Sequence, residues 1–170
     1  MLSSRIPVLV VLVVSAFAAT GCGGGGGGTA ATTPAASSAG AGSPAERCLA
    51  IAGAKRERKP NEPSKIGAKH ILVKYAGAKK APATVTRTRE EACLRAQEAR
   101  AKLEQGTSFA DVVATYSEEP GATTREGSLG SIERSHVVPP FADAAFELAA
   151  GEVSHVVETD FGFHVIMRTE

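Results

Sequence analysis

The sequence predicts a small α+β domain: an antiparallel sheet of about four strands surrounded by three to four helices, behind a long N-terminal arm. Short alternating runs near residues 69–75, 153–159 and 163–168 mark strands,. Capped segments of helical spacing lie between the first run and the last two,. A composition shift near residue 64 separates this domain from a stretch dominated by small residues. The 170 residues are 43% hydrophobic and 22% charged, which suits one core and not two,. A formal net charge of +1 argues against a nucleic-acid partner,. Three cysteines are too few for a disulfide scaffold or a four-thiolate zinc site,.

Residues 1–21 read as a targeting segment. Met1 to Arg5 carries one positive charge, and Ile6 to Ala19 is an apolar stretch of leader length, too short to span a bilayer,. Ala19-Thr20-Gly21-Cys22 resembles a bacterial lipobox. That resemblance implies a lipid on Cys22, a membrane partner, and a place in the bacterial cell envelope on the periplasmic face of the outer membrane. Residues 22–63 follow as a flexible Gly-, Ala- and Ser-rich tether, beginning with a six-glycine run and ending in a short basic segment,. As a coil from Gly23 to Pro63 it has a root-mean-square reach of roughly 35 Å. Within it, Glu46 to Gly53 suits a short helical turn around Cys48. If Cys22 is lipidated, Cys48 and Cys93 remain, either paired outside the cytoplasm or both free thiols.

Residues 64–170 carry the fold. Lys69 to Tyr75 alternates, with His70, Leu72 and Lys74 on one face and Ile71, Val73 and Tyr75 on the other,. Gly77 to Pro82 is a loop carrying Lys79 and Lys80. Thr88-Arg89-Glu90-Glu91 is a capping box for a helix with Ala92, Ala96, Ala99 and Leu103 on one face, stopped by Gly106,. Ser108 and Asp111 cap a second helix that turns Phe109, Val112, Val113 and Tyr116 inward,. Glu118 to Glu126 is a polar loop, and Ser128 to Ile132 a short strand. Pro139-Pro140 opens a third helix burying Phe141, Ala145 and Leu148,. Val153 to Thr159 is a further strand, and Asp160-Phe161-Gly162 turns into the last, Phe163 to Arg168,. The order is β-α-α-β-α-β-β, with the first and last strands eligible to pair.

Four blocks occur in order from about Lys65 to Glu170: Lys69-His70-Ile71-Leu72-Val73-Lys74, Gly127-Ser128-Leu129-Gly130, Pro140-Phe141-Ala142-Asp143-Ala144-Ala145-Phe146, and Gly162-Phe163-His164-Val165-Ile166. Together they resemble the parvulin peptidyl-prolyl cis-trans isomerases, the rotamase domain of PpiC type. Thr86 to Ala92 and Arg168-Thr169-Glu170 favour the phosphorylation-directed branch of that family. The resemblance implies a parvulin-like fold, action on X-Pro bonds of polypeptides with no metal or other cofactor, and a monomer. It also implies a proline pocket from Leu129, Val137 and Phe141, with Phe161 as a further wall; Val137 stands where close relatives carry Met. His70, His164, Thr159 and Glu119 match the hydrogen-bonded catalytic cluster. Glu119 takes the place of a Cys or Asp, and Glu118 is the alternative for that position. With no thiol there, the expected mechanism is non-covalent. The histidines have two other readings: a purely structural network, or a metal site with Glu119.

The local charge pattern bears on specificity. Seven Lys or Arg and no acid lie between Lys65 and Arg89, whereas Glu90 to Glu170 has six basic and fifteen acidic residues. By the resemblance, Lys74, Lys79 and Lys80 would hold an acidic or phosphorylated residue ahead of the proline, as point charges in place of arginine forks. A solvated basic loop is the plainer reading. Two functions of different class follow: an isomerase assisting folding of exported proteins, or a membrane-tethered peptide-binding chaperone module with little turnover. An inert envelope lipoprotein would leave the ordered motifs unexplained.

Overall fold

The computed structural model describes residues 42–170. The expected leader, Cys22 and most of the expected tether lie outside the described residues. The described elements are α1 (Pro44–Ala52), β1 (Ile66–Val73), α2 (Arg89–Glu104), α3 (Phe109–Tyr116), β2 (Ser128–Ile132), a 3-10 turn (Arg134–His136), α4 (Pro139–Glu147), β3 (Val157–Thr159) and β4 (Gly162–Arg168). The sheet runs β2-β1-β4-β3, every neighbouring pair antiparallel, so the first and last strands do lie side by side at its centre.

Alternation on β1 and β4 sends side chains to two different environments. Ile71, Val73, Phe163 and Val165 enter a core closed by α1, α2 and α3. There Ala92, Cys93, Ala96 and Ala99 give α2 a face of small residues that lets it lie close to the sheet. Ile66, Ala68 and Ile166 face the other way and are covered by Phe141, Ala145 and Phe146 of α4. That helix covers only one end of its face. Beyond it, His70 and Leu72 of β1 and His164 of β4 are left to floor a groove.

Two expectations need correction. Residues 44–63, assigned from composition to the tether, are folded against the domain. Ser43 and Glu46 form a capping box for α1, whose buried Cys48 and Ala52 face α2. A disulfide joins Cys48 to Cys93, with Cα atoms 6.0 Å apart. Arg56 then pairs with Glu147, and Glu62 takes both Nε and Nη2 of Arg134 at 2.7 and 2.8 Å. Composition did not register these few long-range partners. The strand expected over Val153–Thr159 shrinks to Val157–Thr159, with one isolated bridge at Val153. The buried Ser154 hydroxyl accepts the Ile166 N–H, which a continuous ladder would send to a backbone carbonyl,.

Candidate active site

The groove has a volume of about 840 Å³. Phe141 and half-buried Leu129 and Val137 give it an apolar lining, to which Phe161 adds. Pro120, His136, Val138 and Pro139 also line it. Leu72, whose alternation with His70 is legible in the sequence, lines it too.

His70 and His164 are each 5% exposed and lie on the same face of paired strands. The register puts Leu72 opposite His164, so the imidazoles meet on the diagonal,. They stack nearly parallel, 12° between planes, with Nδ1 atoms 3.2 Å apart. Phe141 stands edge-on to both, at 5.5 and 5.3 Å between centroids. His70 Nε2 lies 2.5 Å from Glu119 Oε2, and His164 Nε2 lies 2.8 Å from Thr159 Oγ1. All four ring nitrogens therefore have partners inside one chain of groups.

The direction of that chain follows from its ends. An ionised carboxylate only accepts, so His70 carries a proton on Nε2, and with His70 Nδ1 as an acceptor the rest of the chain is set,. His164 then donates from Nδ1 and accepts at Nε2 from the Thr159 hydroxyl. Thr159 Oγ1 in turn accepts the Phe161 backbone N–H at 3.1 Å. In this arrangement every donor finds an acceptor. The His70 hydrogen bond, aided by Arg125 and Lys74, holds the Glu119 carboxyl below its ordinary value although burial opposes this. Burial, and then repulsion from His70, push His164 well below the usual imidazole value.

The loop from Glu118 to Gly127 delivers Glu119. The Glu118 N–H donates to the Leu72 carbonyl, and the His70 N–H donates to the Gly127 carbonyl at 2.9 Å. Gly127 has φ +74°, and a Cβ there would sit 2.6 Å from the His70 carbonyl oxygen, so only glycine lets the loop close this tightly,. The two neighbouring glutamates have different partners. Glu118 accepts from Arg87 and the Lys74 N–H, facing away from the histidines, while Glu119 meets His70. Arg125 of the same loop lies 3.3 Å from Glu119, a partner the sequence did not reveal.

Thr159 touches His164 but does not line this groove. The basic residues are also differently disposed than expected. Lys74 is buried, its Nζ donating to the Lys80 carbonyl at 2.9 Å, so it props the loop while still bordering the groove. The Lys79 and Lys80 ammoniums lie over the Phe161 ring, 5.1 and 5.9 Å from its centroid,. Lys80 lines the groove; Lys79 does not, and approaches it only through the Phe161 ring. Neither forms an ion pair among the described residues, whereas Lys65, Lys69, Arg87 and Arg89 all do.

An apolar slot with a buried polar floor, left open beyond the end of α4, is a site shaped to take an apolar ring. Residues 53–170 match the model of the PPIC-type PPIase domain, so the chain belongs to the parvulin-type peptidyl-prolyl isomerase family. It is 36% identical over 115 residues to the foldase protein PrsA of Geobacillus kaustophilus, covering 68% of this chain and 35% of that protein. It is 38% identical over 108 residues to the peptidyl-prolyl cis-trans isomerase pin1 of Schizosaccharomyces pombe, covering 61% and 62%. Among solved structures, the peptidyl-prolyl isomerase ESS1 from Candida albicans superposes with a TM-score of 0.57 at 30% identity, covering 65% of each chain. The chain thus spans about a third of the length of that foldase and 62% of the yeast isomerase. The four-stranded antiparallel sheet with its helices is the parvulin fold expected from the sequence.

Proposed function

We propose that this protein is a peptidyl-prolyl cis-trans isomerase that rotates X-Pro bonds of polypeptide substrates without covalent chemistry. The observation that carries the reading is the aligned Glu119–His70–His164 chain lying on the floor of an apolar slot walled by Leu129, Val137 and Phe141. The barrier to rotation is about 18–20 kcal/mol and comes from C–N double-bond character. In the half-rotated amide that conjugation is broken and the group is less polar than either planar form. A dry slot gripping the proline ring favours this state, and the fixed polar floor orients the rest of the amide at no further cost in reorganisation. The buried, fully partnered imidazoles support a positioning and electrostatic role more than proton transfer.

On this reading the enzyme assists folding of exported proteins in the bacterial envelope, held by lipid on Cys22. The Cys48–Cys93 disulfide supports a compartment outside the reducing cytoplasm,. Lys79 and Lys80, free of ion pairs among the described residues and lying over Phe161, support a preference for Glu, Asp or a phosphorylated residue before proline. Turnover of Glu-Pro, Ala-Pro and Lys-Pro peptides at low and high salt tests both parts. Expected is turnover of all three, fastest for Glu-Pro, with the advantage shrinking as salt screens the rim. Equal rates would remove the preference; binding without turnover would leave the peptide-binding chaperone module as the function.

A further inference from the structure

A second groove of about 500 Å³ opens beside the first. The two share Val138 and Pro139 at the start of α4, and the Thr159–Asp160–Phe161 turn lies between them, its two ends lining opposite sides. The outer wall of the second groove is Ala52 to Arg56, so the disulfide-held α1 and the segment after it build this groove. Its apolar lining comes from Tyr75, Pro140 and Val157. Among the described residues the Tyr75 hydroxyl and the Asp160 carboxylate form no side-chain hydrogen bond or ion pair, while the other carboxylates there, Asp143 and Glu158, are held by Arg134 and Arg89.

Resting on the isomerase reading above, we infer that this groove is an extension of the substrate site, taking an extended stretch of the same polypeptide beyond the residues next to proline. Continuity through Val138 and Pro139 makes the substrate chain the fitting occupant. An extended segment rises about 3.3 Å per residue, so a chain leaving the proline slot crosses that ridge within a few residues. Alternate side chains then enter the apolar lining, while the free phenol and carboxylate serve the backbone N–H groups. Because α1 forms the wall, this subsite depends on the Cys48–Cys93 link, whereas the proline slot does not.

The test compares a capped Ala-Glu-Pro-Phe peptide with versions lengthened by alternating Leu and Ser on the N-terminal or the C-terminal side, by exchange NMR. Expected is a KM lower by about fivefold for one of the two lengthened peptides, the scale of one well-placed apolar side chain. Ala54→Tyr, filling the second groove from an exposed position, should erase that advantage and leave the short peptide's turnover unchanged. The double variant Cys48→Ser/Cys93→Ser should do the same by freeing α1. Equal KM for short and long peptides, or an advantage that survives both variants, overturns the inference alone. No turnover of the short peptide overturns the isomerase reading and this subsite together.

Discussion

One sheet presents two faces built from the same strands at alternating residues, and they have opposite characters. Toward α1, α2 and α3, Ile71, Val73, Phe163 and Val165 are almost wholly buried among apolar side chains. Toward α4, the face starts the same way with Ile66, Ala68 and Ile166 and then gives way to His70, Leu72 and His164. The first face is finished. The second stops short because α4 is only nine residues long, and the uncovered end floors the groove where we place the chemistry. Stability and function are thereby separated by a one-residue step along β1, and substitutions on either side of that step should report different quantities.

The largest effect belongs to the finished face. Phe163→Ala should lower unfolding free energy by about 3–5 kcal/mol, read by denaturant titration, with kcat/KM per folded molecule little changed. Comparable loss of activity and stability there would dissolve the distinction. Next comes the staple behind that face. Reducing Cys48–Cys93, which closes a loop of 45 residues, should cost up to about 4 kcal/mol on a chain-entropy estimate, seen as a lower Tm and two thiols appearing on titration,. Two thiols already free in unreduced protein would remove this element.

On the open face the order reverses. Glu119→Gln should reduce kcat/KM by about a hundredfold with only a small change in Tm, since it removes a charge that His70 and Arg125 keep ionised,. Retained activity would mean that the charge does not contribute.

The smallest effect is a pH slope. His164 has its folded-state pKa below the free imidazole value, so its neutral form is favoured by folding. Stability is fully present above about pH 6.5 and falls as pH drops through that value toward the folded-state pKa, by at most about 1.4 kcal/mol per pH unit,. Glu119, also depressed, adds a second loss only below about pH 4.5. His164→Gln should flatten the first slope and leave the second. An unchanged slope in that variant would place the proton elsewhere.

The sequence made the finished face and much of the groove legible, because both rest on short-range patterns. Alternation along β1 exposed the shared face of His70 and Leu72, and capping boxes marked α2. The resemblance picked out Glu119, Phe141 and Phe161. What stayed hidden depends on distant partners. The docking of α1 and of the segment after it rests on Cys93, Glu147 and Arg134, each far along the chain. Arg125 reaches Glu119 only because Gly127 folds the loop back on β1. Lys74 looked like a rim cation, and a single hydrogen bond to Lys80 makes it a prop. A local pattern cannot report how a long side chain is spent.

The most direct test is two-dimensional exchange NMR on a Glu-Pro peptide with a small fraction of protein, for the wild type and Glu119→Gln. Uncatalysed exchange takes tens to hundreds of seconds, so cis–trans cross-peaks at sub-second mixing times report catalysis alone. If the polar floor in a dry slot lowers the rotation barrier, wild type gives strong cross-peaks and Glu119→Gln gives weak ones, while both shift the peptide's resonances alike on binding. Binding shifts without cross-peaks in wild type, or cross-peaks of equal strength in both proteins, would contradict it.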